Sequence, residues 1–200
     1  MHHSKEDSMN ADQALKELAA GNKRFAASGQ LYPNQSHQRM TELSDAQKPF
    51  AAILGCSDSR VPPEVIFDRG LGDLFVVRVA GHVMNDFVLG SIEYAADHLQ
   101  TPLIMVLGHS KCGAVQAAAS GAVGAGHTAC LTESIQPALE EARKRGGDLV
   151  DGAAKANAKI IAKQLKASEP ILCTLVGEGK LKIVPAFYDL DTGLVEILSD

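Results

Sequence analysis

Cys56, His109 and Cys112 are the residues of this chain whose types and spacing suit joint chemistry. Cys56 closes the stretch AAILGC at 51–56. His109 stands in IMVLGHSKCG at 104–113, with Cys112 three residues further on. Two thiolates and an imidazole form a donor set for zinc that keeps one position free for water or substrate. Their softness favours zinc over a hard, oxygen-seeking cation. Taken singly, each residue has a plainer reading as a buried structural thiol or a hydrogen-bonded core histidine. Beside Cys56, Asp58 and Arg60 are two residues apart, a spacing that allows a carboxylate–guanidinium pair. An exposed pair of this kind is worth only ~0–1 kcal/mol, but this one follows a candidate ligand and precedes Val61-Pro62-Pro63, which stiffens the turn. Asp58 is also close enough in sequence to reach the metal itself.

Convergence of donors 53 positions apart (109 − 56) requires a fold that gathers strand ends. Apolar runs at 50–54, 74–79 and 103–107 are strand-sized, and none alternates cleanly with polar residues, as expected when both faces of a sheet are covered. Helical periodicity is found at 12–27, with Leu15, Leu18 and Phe25 on one face and Asn10 or Asp12 as cap. It recurs at 86–99, 131–145 and 149–165, while 28–44 reads as a loop or short helical turns. Segments 183–188 and 195–198 flank Asp191-Thr192-Gly193, a hairpin signal. The expected fold is α/β: a central, mostly parallel sheet flanked by helices, with a C-terminal antiparallel hairpin and an N-terminal helical arm. It is read as one domain over 1–200, with the arm at 1–45 and the core at 46–200. Residues just past parallel strands collect along the carboxyl edge of the sheet, where ligand sites of such folds form. Gly108 and Gly113 are expected to permit close backbone approach there.

A net charge of −5 and a pI near 5.8 argue against nucleic acid as a partner. No stretch approaches the roughly 18 apolar residues of a membrane span, and the polar opening MHHSKEDSMNADQ does not read as a signal peptide. His2 and His3 in that opening are weak evidence for metal binding. Four cysteines in 200 residues do not make a disulfide scaffold, so reduced thiols in the cytoplasm are expected. Cys130 and Cys173 read as buried or semi-buried thiols without a reactive role.

The motifs CSDSRVPPE at 56–64 and GHSKCGAV at 108–115 resemble the two signatures of the β-class carbonic anhydrases. The intervening GDLFVVRVAGHV and GSIEYAADHL resemble that family's second strand and following helix. The likeness runs from about Gln47 through Asp191. It implies one zinc per subunit, bound by Cys56, His109 and Cys112, and reversible hydration of carbon dioxide to bicarbonate and a proton by attack of zinc-bound hydroxide. It implies that Asp58 and Arg60 orient the attacking water, and that Asp58 in a closed state becomes the fourth ligand, a state expected on the acid side. It places Gln47, Phe75 and Tyr94 along a small apolar substrate pocket at a subunit interface, and implies a homodimer or a dimer-based higher oligomer. Some members carry an inhibitory bicarbonate site built on a Trp. Here that position is Ile53, and Arg78 alone does not rebuild the site. No residue identifies itself as proton shuttle; His82, His98 and His127 qualify by chemistry only and read as surface histidines.

Other functions compatible with the same residues are hydrolysis of carbonyl sulfide or carbon disulfide, and a purely structural zinc clamp closed by Asp58. A zinc ribbon for nucleic acid would need Cys-x-x-Cys knuckles and a basic surface, which the sequence lacks.

Overall fold

A computed structural model describes residues 9–121 and 126–199; His2 and His3 lie outside the described residues. Strands β1 (Ala51–Gly55), β2 (Leu74–Arg78), β3 (Leu103–His109), β4 (Lys182–Tyr188) and β5 (Val195–Ile197) form one sheet in the order β2-β1-β3-β4-β5. The first four are parallel, and β5 runs antiparallel to β4. β1 and β3 are buried along their whole length, which is why their sequences carry no polar alternation.

The two-residue period of a strand still sorts their side chains onto two cores. Ala52, Leu54, Ile104 and Val106 face one core with Ile135, Leu139, Ile161 and Leu165. These come from helices α6 (Thr128–Arg145) and α7 (Leu149–Lys166). Ala51, Ile53, Leu103, Met105 and Leu107 face the other, with Leu18 of helix α1 (Ala11–Ala26) and Ile66 of the short helix α3 (Pro63–Ile66). The expected helical arm is present. Asn10 caps α1 in a reciprocal capping box with Gln13, and Leu15 and Phe25 pack, half-buried, on the same core as Leu18.

The short helical turns allowed for at 28–44 are present as helix α2 (His37–Glu42), capped by Ser36. Two expectations shift. Helix α4 (Asp86–Glu93) does not continue regularly to residue 99; it widens into a π turn over Tyr94–His98. β3 is two residues longer than its apolar run, so His109 is the last residue of the strand itself. Helices α5 (Gly113–Ala119) and α8 (Ile171–Gly177) complete the layer on the α6/α7 side.

Candidate metal centre

The parallel register sets Gly55 beside Leu107, so Cys56 leaves β1 level with the end of β3. Cys112 caps helix α5 three residues after His109. The three predicted donors therefore meet: Sγ of Cys56, Sγ of Cys112 and a ring nitrogen of His109 all lie within 4.8 Å of one another. All three residues are buried, at 4%, 0% and 0% exposure. That spread is close to what one ion with bonds of about 2.0–2.3 Å bridges.

Their protonation has a direction. The hydrogen bond from Cys112 holds the Cys56 thiol far below its usual range, and the same bond together with burial pushes Cys112 far above it. His109 Nδ1 is 2.9 Å from the Ser110 carbonyl, which can only accept, so Nδ1 carries the proton and Nε2 presents a lone pair. That Nε2 is buried with no hydrogen-bond partner. A buried polar atom left bare costs about 1–3 kcal/mol. A lone pair set beside two buried thiols within 4.8 Å is the donor geometry of a divalent soft-metal site, and the residues present fit zinc.

Asp58 and Arg60 form the expected pair in bidentate form: Arg60 Nε donates to Oδ1 at 3.0 Å and an Nη to Oδ2 at 2.7 Å. The Arg60 backbone N–H adds a bond to Oδ1 at 2.9 Å. The Arg60 side chain thus holds the Asp58 carboxyl down to about 2. Asp58 Oδ2 lies 3.9 Å from His109 Nε2, so in the arginine-paired arrangement the carboxylate already borders the donor cluster. Arg60 also donates to the Lys111 carbonyl at 3.2 Å, tying the two ligand-bearing loops together.

Phe75 and Tyr94 are brought together, with ring centroids 6.1 Å apart. Neither is plain core: Phe75 is half-buried on β2, at the edge of the sheet, and Tyr94 is 45% exposed. Gln47 lies exposed in the segment leading into β1. Of the histidines, His98 and His127 are at the surface, but His82 is fully buried at 0% exposure, contrary to its reading as a surface residue. Burial pushes it down to about 4, so it stays neutral. Cys130 is exposed rather than buried, and Cys173 is half-buried. Gly108 does permit close approach, since a Cβ there would stand 2.8 Å from the Ala154 carbonyl of α7; one at Gly113 would meet nothing within 4 Å.

The motifs did not reveal the backbone supports of the site. Arg78, at the end of β2, donates from Nε to the Cys56 carbonyl at 2.8 Å and from an Nη to the Asp58 carbonyl at 2.5 Å, holding the first loop from behind. Asp151 of α7 accepts the Lys111 N–H at 2.8 Å and holds the second. The Gly81 N–H donates to Cys56 Sγ at 3.3 Å. These are contacts of a strand end, a turn and a helix with segments remote in sequence, so no local pattern announces them.

The carbonic anhydrase family model matches residues 51–195. Carbonic anhydrase of Mycolicibacterium smegmatis is 43% identical over 190 residues, covering 93% of this chain and 92% of its own length. Carbonic anhydrase 2 of Mycobacterium tuberculosis is 43% identical over 184 residues, covering 90% of this chain and 89% of its own. Among solved structures, a β-carbonic anhydrase from Sordaria macrospora, described as tetrameric, superposes with a TM-score of 0.75 at 26% identity. That match covers 80% of this chain and 86% of the other. Motifs, strand order, donor cluster and relatives agree: the chain belongs to the β-class carbonic anhydrases.

Proposed function

We propose that Cys56, His109 and Cys112 hold the zinc ion of an enzyme that reversibly hydrates carbon dioxide to bicarbonate and a proton. The observation that carries this assignment is the buried, unpartnered Nε2 of His109 set within 4.8 Å of the buried sulfurs of Cys56 and Cys112. When bound, zinc supplies the Lewis acidity that makes water a nucleophile near neutral pH.

The side chains divide the remaining work. Ser110 fixes the His109 tautomer, and so its lone pair. Asp58 accepts a hydrogen bond from the attacking water and fixes its direction. Held at about 2 by Arg60, its carboxylate is a poor base near neutral pH, so it orients the water and leaves the proton to another acceptor. Arg60 keeps the carboxylate in place while joining the two loops. Phe75, Tyr94 and Gln47 line the approach for a small apolar substrate. In the closed alternative Asp58 would give up Arg60 and serve as a fourth metal ligand; its Oδ2, 3.9 Å from His109 Nε2, is near enough to support that reading.

The proposed working unit is a homodimer or a dimer-based higher oligomer. In its support, β2 is an edge strand whose apolar residues Leu74–Val77 are only half-buried. Phe87, at the start of α4, is 89% exposed, and such an edge is a pairing surface. We place the chain in the cytoplasm on its four free cysteines, and read it as one domain with an arm over 1–45 and a core over 46–200. Among the described residues no helix is long and apolar enough to cross a membrane.

Stopped-flow hydration against pH, with zinc stoichiometry measured on wild type and Asp58→Ala, tests the assignment. One zinc per chain in both proteins, with activity lowered about 10–100-fold in the variant, is expected. A wild-type protein active without stoichiometric zinc would refute it.

A further inference from the structure

Helix α7 buries a stripe of Ala153, Ala154, Asn157, Ala158, Ile161 and Leu165 against the sheet. Asn157, 2% exposed, is the polar member of that stripe. A buried carboxamide must be hydrogen-bonded or it costs about 1–3 kcal/mol, so its partners say what it is for. Its Nδ2 donates to the Gly81 carbonyl at 3.0 Å and stands 3.2 Å from His82 Nε2. An NH2 group can only donate, so both of its hydrogens are spent on the single turn Ala80–His82, and the His82 ring is fixed with its lone pair toward Asn157.

That turn borders Cys56. The His82 N–H donates to the Val79 carbonyl at 2.8 Å and closes the turn. Gly81 adopts φ +68, and a Cβ at this residue would come within 2.8 Å of Ile135 Cδ1. With Gly81 C=O held by Asn157, its N–H is left facing Cys56 Sγ at 3.3 Å. The same helix holds the other ligand loop through Asp151 and the Lys111 N–H.

We propose that Asn157 is a positioning residue of the metal centre, holding the Ala80–His82 turn so that the Gly81 N–H donates to Cys56 Sγ and sets how much charge that thiolate gives the metal. This rests on Cys56 being a zinc ligand. Two thiolates supply a divalent ion with enough negative charge to blunt its Lewis acidity. An N–H···S bond withdraws part of that charge and raises retention of the ion, as partners behind metal ligands commonly do.

The test uses cadmium-113 and cobalt(II) as probes of the full-length protein. In wild type carrying one cadmium per chain, proton–cadmium correlation is expected to connect the Gly81 amide proton to the metal through Cys56 Sγ. Exchanging cadmium for zinc is expected to shift the Asn157 side-chain amide signals more than those of Asn22, a buried asparagine bound instead to Ile66, Gly193 and Val195. In Asn157→Leu the correlation disappears and the thiolate-to-cobalt charge-transfer band moves to lower energy. Zinc affinity, read by chelator competition, falls about 10-fold. Stoichiometric cadmium without the Gly81 correlation, or an Asn157 shift no larger than that of Asn22, overturns the proposal and leaves the zinc assignment standing; both are read on wild type, so they hold even where the variant fails to fold. An unchanged band in a folded Asn157→Leu overturns it as well. A wild type that binds no cadmium or zinc defeats the assignment itself, and the proposal with it.

Discussion

Two buried polar clusters in this molecule are left in opposite states. Asp68, its side chain 1% exposed, accepts from Arg24 Nε at 2.6 Å and from the backbone N–H groups of Leu31 and Tyr32 at 3.1 and 3.0 Å. Every contact joins the N-terminal arm to the core. At the carboxyl edge of the sheet, His109 Nε2 has no hydrogen-bond partner, and the Cys56 thiol is held far below its usual range while Cys112 is pushed far above it. The Asp68 cluster, which holds arm to core, is satisfied from within. Nε2 of His109, set beside two sulfurs, is satisfied by a ligand, and its desolvation cost is recovered on binding.

Removing a sulfur should break this contrast most sharply. Cys112→Ser is expected to lose the metal and lower carbon dioxide hydration by more than about 10³-fold, since the acceleration depends on the ion. Its far-ultraviolet circular dichroism should stay that of the wild type, because Cys112 is one small member of a large apolar core and the second core contains none of the three donors. Retention of one zinc per chain would contradict the donor set.

Asp58→Asn removes the carboxylate while keeping its shape, and is expected to cost about 10–100-fold in kcat with zinc content unchanged. Asp58 titrates at about 2 in the folded chain. Its folded value lies below the unfolded one, so the stability it contributes is present above about pH 4 and is lost as pH falls toward 2. Between pH 5 and 9 it should add no limb of its own to the activity profile. An acid limb in that window that vanishes in Asp58→Asn would show the swing onto the metal instead.

Asp68→Asn should do the reverse. Burial alone would raise the Asp68 pKa, but Arg24 and the two amides outweigh it, so the net shift is downward. The stability it confers is full above the unfolded value near 3.9 and is lost as pH falls through the folded one. The variant is expected to unfold about 1.5–3 kcal/mol more easily in urea at pH 7, with kcat within about twofold of wild type once folded. Smallest of all, Cys130→Ser changes an exposed thiol that donates to the His127 carbonyl. It should leave stability within about 0.5 kcal/mol and zinc content unchanged; a loss of zinc would show that the exposed thiol takes part in metal retention.

What could be read from residues alone follows the range of the forces involved. β1 and β3 announce themselves because a strand buried on both faces is apolar throughout, and the glycine-bounded ends of those runs flag Cys56 and His109. The capping box of α1 is equally local. The burial of His82 was not legible, because Asn157, which helps enclose it, stands 75 positions away (157 − 82). The π turn at Tyr94–His98 escaped for a related reason: the apolar spacing of 86–99 suits a regular helix, and only packing shows where the winding loosens. Asn157 did carry one signal, a polar residue four places after Ala153 and four before Ile161 on the face that meets the sheet.

The ladder between β1 and β3 acts as a gauge for the metal. Their pairing sets Leu54 opposite Val106 and Gly55 opposite Leu107. Sliding one strand past the other by a single residue would carry Cys56 about 3.3 Å along the sheet and turn its neighbours to the opposite face, whereas coordination tolerates errors of only about 0.2 Å. Apolar substitutions deep in these strands, far from any sulfur, should therefore surface first as leakage of zinc.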